Sequence, residues 1–180
     1  MTTVAIVGGG ELANAFCEKN KNNYKIKICT HSEFDITDRG NCDNLVDLLL
    51  NFNAIIITAG YFGNDIWKMW LTNTVGPSYI IGKLVEKKYT GHIVAVSSNA
   101  ANWTSWPDIS IDRLTYNNSK HAISNFVYGV KHRNYVGKYS VFEPSKFKSS
   151  MSNFQGLDIS LITSALDSIL NNDTTWNIKI

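Results

Sequence analysis

Long apolar runs are missing from this chain. None approaches the ~18 residues that a membrane-spanning helix needs, so no membrane partner is expected. Charge of either sign is thin: 17 Lys and Arg face 15 Asp and Glu, the net charge is +2, and no basic cluster exceeds a pair. That balance excludes a dedicated nucleic-acid or membrane-binding surface. Cys17, Cys29 and Cys42 are an odd set without CxxC spacing, which argues against a disulfide framework or a metal site and for reduced thiols. The N-terminus lacks a long apolar stretch of the signal-peptide kind, so the expected location is cytoplasmic. Linkers, repeats and low-complexity segments are also lacking. What remains is globular: 180 residues, 44% apolar and 18% charged. We expect a single domain over residues 1–180, long enough to bury a core.

The apolar residues change period along the chain. "TTVAIVGGG" is a β-rich run stopped by three glycines, and "ELANAFCEKN" follows with Leu12, Ala15 and Phe16 at helical spacing. "YKIKICT", "NAIIITAG", "GHIVAVSSNA", "KYSVFEPS" and "TTWNIKI" read as strands. "DRGNCDNLVDLLLNF", residues 65 to about 87, residues 112 to about 133 and "DISLITSALDSILN" read as helices. Apolar strands alternating with amphipathic helices imply an α/β, doubly wound parallel sheet of the Rossmann type, covered on both faces. One connection is too short. Only a few residues separate Ile28 from Phe34, whereas a parallel crossover needs about a dozen. The helix that would lead from the second strand to an adjacent third is therefore expected to be missing, with "EFDI" a vestigial edge.

The first turn, "VAIVGGGELANAF", offers Gly8, Gly10 and Ala13 as GxGxxA between a strand and a helix. Glycines let a backbone approach a pyrophosphate, and a helix N-terminus presents free N–H groups to it. No GK[ST] follows, which excludes a P-loop. A plain strand-to-helix turn, or an S-adenosylmethionine site, remains open at this point. Further on, Ser97 and Ser98 end a strand, where parallel sheets form their ligand crevice. Tyr116 and Lys120 share a helix face at i and i+4. Asn73 lies in the middle of an apolar helix. Singly, each has a bland reading: a helix cap, a solvated pair, a satisfied core amide. Tyr79 and Lys83 have the same spacing as Tyr116 and Lys120, so spacing alone decides nothing.

Order along the chain does more. Over essentially its full length the sequence resembles the short-chain dehydrogenase/reductase family. The glycine turn, with Leu12 behind it, comes first. "FDITD" resembles the family's D-V-x-D adenine contact, carried here by Asp35 with Ile36 beside it. "TAG" stands at Thr58, Ala59 and Gly60 in place of N-A-G. "NTVG" resembles N-V-x-G and makes Asn73 the active-site asparagine. "IVAVSS" resembles the strand that carries the active serine, here Ser98. "YNNSK" is similar to Y-x-x-S-K. "PSKFKSSM" resembles P-G-x-x-x-T-x-M, with Pro144, Ser145 for the glycine and Ser149 for the threonine. The other Tyr–Lys pair falls where the family has nothing catalytic.

The resemblance implies an NAD(P)(H)-dependent oxidoreductase that reduces a carbonyl or oxidises an alcohol. Tyr116 would handle the proton, Lys120 would lower its pKa and hold the nicotinamide ribose, Ser98 would bind the substrate oxygen, and Asn73 would hold a water feeding protons to Lys120. NAD-users commonly place a carboxylate after the second strand for the ribose 2′-OH. Here that place reads Thr30, His31 and Ser32, with Glu33 just beyond, which leans to NADP over NAD. Departures from the family are a shortened glycine turn and a short "NFQG" segment where relatives carry a substrate lid, so an open site is expected. Those losses keep a second class in view, a non-catalytic NAD(P)-binding regulatory protein; a methyltransferase is third and would not need "YNNSK". Trp103 and Trp106 are either an aromatic wall or anchors on the domain. Trp67, Trp70, Leu71, Ile81 and Leu84 cannot all face inward at 100° per residue, so a homodimer or homotetramer is expected.

Overall fold

In the computed structural model, six parallel strands stand in the order β2-β1-β3-β4-β5-β6. The structure describes residues 1–102, 109–171 and 178–179. The strands are β1 (Thr2–Val7), β2 (Tyr24–Cys29), β3 (Ala54–Ile57), β4 (His92–Val96), β5 (Lys138–Glu143) and β6 (Ile178–Lys179); the helices are α1 (Glu11–Asn20), α2 (Arg39–Leu49), α3 (Ile66–Trp70), α4 (Gly76–Glu86), α5 (Ile111–His132) and α6 (Ile159–Asn171).

Strand side chains alternate between faces, and here both faces are covered. Val4 and Ile6 of β1, Ala54 and Ile56 of β3, and Val94 and Val96 of β4 pack with Leu12 and Phe16 of α1 and Ile162 and Leu166 of α6. Ala5 and Val7, Ile55 and Ile57, and Ile93 and Ala95 pack on the other face with Leu45 and Leu49 of α2, Ile80 and Leu84 of α4, and Ile123 and Val127 of α5. This two-sided burial is why the central strands read as continuous apolar runs.

The register brings the strand ends level. Val7 lies opposite Cys29 on one side and Ile57 on the other, and Ile57 pairs with Ala95. From β1 the chain first moves outward to β2, then returns to the other side at β3. That reversal opens a crevice beyond the carboxyl ends of β1 and β3.

Two local departures from the sequence expectation have clear causes. After β2 the chain turns at once, with the Glu33 and Phe34 N–H groups donating to the Thr30 carbonyl. The expected helix is indeed missing. "EFDI" forms no strand, and β2 is joined to β3 through α2. The helix expected over residues 65 to about 87 runs from Ile66 to Glu86 but is not regular. Asp65 caps α3 by accepting from the Lys68 N–H at 2.9 Å. Residues 71–75 then form a π-helical turn, closed by the Gly76 N–H on the Leu71 carbonyl. Pro77 has no N–H to give the Asn73 carbonyl four residues back, so a regular α-ladder cannot pass this point.

Candidate active site

A cleft of about 660 Å³ occupies the crevice, and its wall collects residues from across the whole chain. Among the expected residues it includes Gly8, Gly10 and Leu12, His31, Asp35 and Ile36, Thr58, Ala59 and Gly60, Ser98, Tyr116 and Lys120, and Pro144 and Ser145.

At the first turn Gly8 has φ +116°, a conformation L side chains rarely adopt. A Cβ there would lie 2.7 Å from the Ala59 nitrogen and 2.8 Å from Thr58 Oγ1. The loop after β3 thus packs directly on the turn, with the Thr58 and Ala59 N–H groups both donating to the Val7 carbonyl at 2.9 Å. Gly10 is the α1 N-cap, without a side-chain cap, and nothing lies within 4 Å of where its Cβ would be. Open space in front of uncapped helix N–H groups suits a phosphate.

On the other side of the cleft, β4 delivers Ser97 and Ser98 and α5 delivers Tyr116 and Lys120. The Ser98 hydroxyl faces the same cleft as the half-buried Tyr116 phenol and acts to lower its pKa. Lys120 is 4% exposed, and its ammonium donates to the Val96 carbonyl at 3.1 Å. Burial lowers its pKa from 10.5 to about 8. Ser97 Oγ donates to the Lys120 carbonyl at 2.8 Å. Ser124 Oγ bridges Ser97 Oγ at 2.8 Å and the buried Glu143 carboxylate at 2.9 Å. This network ties the β4 and β5 ends to the α5 backbone at the position that carries Lys120.

The structure places three of the expected residues in particular surroundings. Asn73 is not among the residues lining the cleft. It is 1% exposed, and its side chain clamps Tyr61, accepting from the Tyr61 N–H at 2.7 Å and donating to its carbonyl at 2.9 Å, with a further bond to Ser119 Oγ at 3.0 Å. Gly60 stands between: its Cβ position falls 3.3 Å from Lys120 Nζ and 3.7 Å from Asn73 Oδ1. Ser32 also lies outside the wall, its hydroxyl 2.9 Å from that of Thr30. Third, burial raises the Tyr116 phenol pKa, opposed by the neighbouring Ser98 hydroxyl and by the positive charge of Arg113.

Several wall residues were missed. Phe62 meets Tyr116 edge-on, with ring centroids 5.3 Å apart, and Arg113 lies over the Phe62 ring. Glu11 Oε2 accepts from the Ser150 N–H at 2.8 Å, latching the first turn of α1 to residues 149–152. None carries a motif signal, since only the fold brings residues 11 and 150, or 62 and 113, together. Glu33 proves to be tied up: Lys27 donates to it at 2.6 Å and the Thr30 N–H at 3.0 Å, holding its carboxyl down at about 2. The rival pair sits elsewhere. Tyr79 donates to Asp43 at 2.7 Å, and Lys83 pairs with Glu86. Trp103 and Trp106 fall outside the described residues.

A glycine turn at the switch point, facing a strand-end serine and a helical Tyr–Lys pair, gives the chain a Rossmann-type architecture with a hydroxyl-rich cleft. No family profile and no curated protein matches the sequence. Solved structures do match the fold. A short-chain dehydrogenase from Burkholderia cenocepacia in complex with NADP superimposes with a TM-score of 0.78 at 15% identity, over 98% of this chain and 86% of that one. A small-chain dehydrogenase in complex with NADPH gives 0.77 at 15% identity, over 100% and 97%. A 4-hydroxyisoleucine dehydrogenase complexed with NADH and succinate gives 0.72 at 20% identity, over 98% and 96%. The chain has the short-chain dehydrogenase fold. Among the described residues no helix is long and apolar enough to cross a membrane.

Proposed function

We propose that this protein is an NAD(P)(H)-dependent oxidoreductase, acting on a carbonyl or an alcohol through Ser98, Tyr116 and Lys120. The observation that carries the reading is the hydroxyl pair: Ser98 and Tyr116 stand in the wall of the same cleft that holds the Gly8–Gly10 turn. The similar structures with NADP, NADPH and NADH support a nicotinamide cofactor. The residues present fit one: the α1 N-terminus and its open space would receive phosphates, Asp35 and Ile36 would meet the adenine end, and His31 in the cleft wall would meet the ribose, with Glu33 paired to Lys27. NADP is therefore favoured over NAD. The cofactor supplies the hydride chemistry when bound.

The protein's own part is positional and protonic. Ser98 holds the substrate oxygen, and Tyr116 gives that oxygen its proton or takes it in reverse. A phenol whose pKa is raised by burial stays protonated at neutral pH, which is the form that reduction needs. Lys120 titrates at about 8, which lets it carry charge at neutral pH and pass a proton at little cost. Asn73 acts through Tyr61, fixing the loop behind Gly60.

The functional unit is a homodimer at least. Trp67 is 72% exposed on α3 and Ile111 63% exposed on α5, and these two helices pack side by side, so an isologous contact would cover both. A tetramer would need a second surface as well.

The competing reading, a non-catalytic NAD(P)-binding regulatory protein, draws on residues 146–157. A Phe147–Leu157 bridge closes this short loop, and Gly156, at φ +109°, packs on the Lys146 carbonyl, which leaves little chain for a lid. NADPH oxidation over a panel of aldehydes and ketones separates the two. Tyr116→Phe should reduce turnover at least tenfold with cofactor affinity nearly intact, and Tyr79→Phe should change neither. Equal turnover in Tyr116→Phe and wild type would remove the assignment.

A further inference from the structure

One cation in the cleft wall has no part in the chemistry above. Arg113 stands in the first turn of α5, where its N–H donates to the Ser110 cap at 3.3 Å. Its guanidinium lies over the Phe62 ring, 4.8 Å from the centroid, and the same ring meets Tyr116 at an interplanar angle of 72°. All three side chains line the cleft. Of the other wall cations, Lys120 is engaged with the Val96 carbonyl and Lys146 with Gln155 Oε1 at 2.8 Å, while Lys68, a point charge without a planar fork, lies over the Tyr61 ring. The wall acids are engaged as well. Glu11 binds Ser150, and Asp35 accepts from Thr37 and lies 3.5 Å from His31. Among the described residues no carboxylate pairs with Arg113.

Stacking on an aromatic ring uses the flat face of a guanidinium and leaves its N–H fork free. That fork matches a carboxylate, which it grips through two parallel hydrogen bonds. A guanidinium resting one ring away from the Tyr116 phenol is thereby placed to meet a substrate anion.

We infer that Arg113, braced on Phe62, anchors a carboxylate of the substrate, and that the site takes oxo acids or the corresponding hydroxy acids. The inference rests on the oxidoreductase reading. In the reductive direction the carbonyl carbon of the oxo acid gains two electrons as hydride from NADPH, and its oxygen gains a proton from Tyr116. The products are the hydroxy acid and NADP, with the carboxylate unchanged on Arg113.

The test compares a series of oxo acids of increasing length with their methyl esters, by NADPH oxidation, in wild type, Arg113→Ala and Arg113→Lys. Loss of a charge-assisted pair is worth at least about tenfold. Wild type should thus prefer the best acid over its ester by about tenfold or more in kcat/KM. Arg113→Ala should abolish that preference, and Arg113→Lys, with the charge but not the fork, should fall between. An acid-to-ester ratio near one in wild type, or one unchanged in Arg113→Ala, overturns the anchor. If no carbonyl compound is turned over, the oxidoreductase reading fails, and the anchor is judged by calorimetric titration of malonate with and without NADPH. Binding weakened about tenfold or more in Arg113→Ala upholds an anion site. Equal affinity in the two proteins, or no binding to either, removes it.

Discussion

Lys120 offers a test of the site that needs no substrate. In the unfolded chain this lysine titrates near 10.5, and in the fold burial lowers it to about 8. A lowered lysine pKa means that the folded state holds its proton less tightly than the unfolded state. Between pH 8 and 10.5 the unfolded chain binds more protons, so stability rises with pH through that window and is lost as pH falls towards 8. Integrated over the window, the effect is about 3 kcal/mol. Lys120→Met removes the titration. It also strands the Val96 carbonyl, at a cost of about 1–3 kcal/mol, but that cost is independent of pH. Urea unfolding of both proteins by circular dichroism, from pH 7 to 10.5, yields the stability of wild type minus that of the variant. Ionisation of the other tyrosines and of the cysteines is common to both and cancels. The difference should climb by about 3 kcal/mol in favour of wild type across the window. A difference that stays flat would show that Lys120 keeps its ordinary pKa, and the argument that it is poised to pass a proton near neutrality would fall.

Other expectations follow from single contacts. Gly8→Ala should destabilise the fold by about 1–3 kcal/mol and weaken nucleotide binding, because a side chain at φ +116° meets the Ala59 backbone; an unchanged melting temperature would refute the close packing of the two loops. His31→Ala should weaken NADPH more than NADH in titrations of tryptophan fluorescence, whereas Ser32→Ala should alter neither. An equal fall for both nucleotides would place His31 away from the 2′ position. Trp67→Glu should convert a dimer to a monomer of 20.1 kDa in light scattering during size exclusion. A wild-type protein that already runs at that mass would refute the assembly.

Much of the site could be read before the fold was known, because its parts are local. The Gly8–Gly10 turn, the TAG loop, the strand-end serine and the i, i+4 pair each occupy a few consecutive residues, and each lands in the cleft. Two features were less legible. Pro77 was visible, and its missing N–H announced the irregular ladder within the helix; the 100° periodicity obscured it by treating residues 65 to about 87 as one regular face. The surroundings of Asn73 and Ser32 were hard to read for a different reason. Whether a polar side chain faces a cleft or its own backbone depends on the neighbouring loop, here Tyr61 for Asn73 and Thr30 for Ser32.

What the sequence determined by itself was the architecture. Period and run length distinguish buried parallel strands from amphipathic helices, and a connection too short for a crossover removes a helix whatever the tertiary context. It also determined the order of the site's parts along the chain. Only the tertiary structure decided which charges those parts feel. The cation acting on Tyr116 is Arg113, and Lys120 is turned to the Val96 carbonyl. Glu33 is held by Lys27 away from the cofactor end. Electrostatic partners are set by distances of a few ångströms between segments remote in sequence, and by the burial that strengthens or penalises each charge. Spacing along a chain carries no record of either.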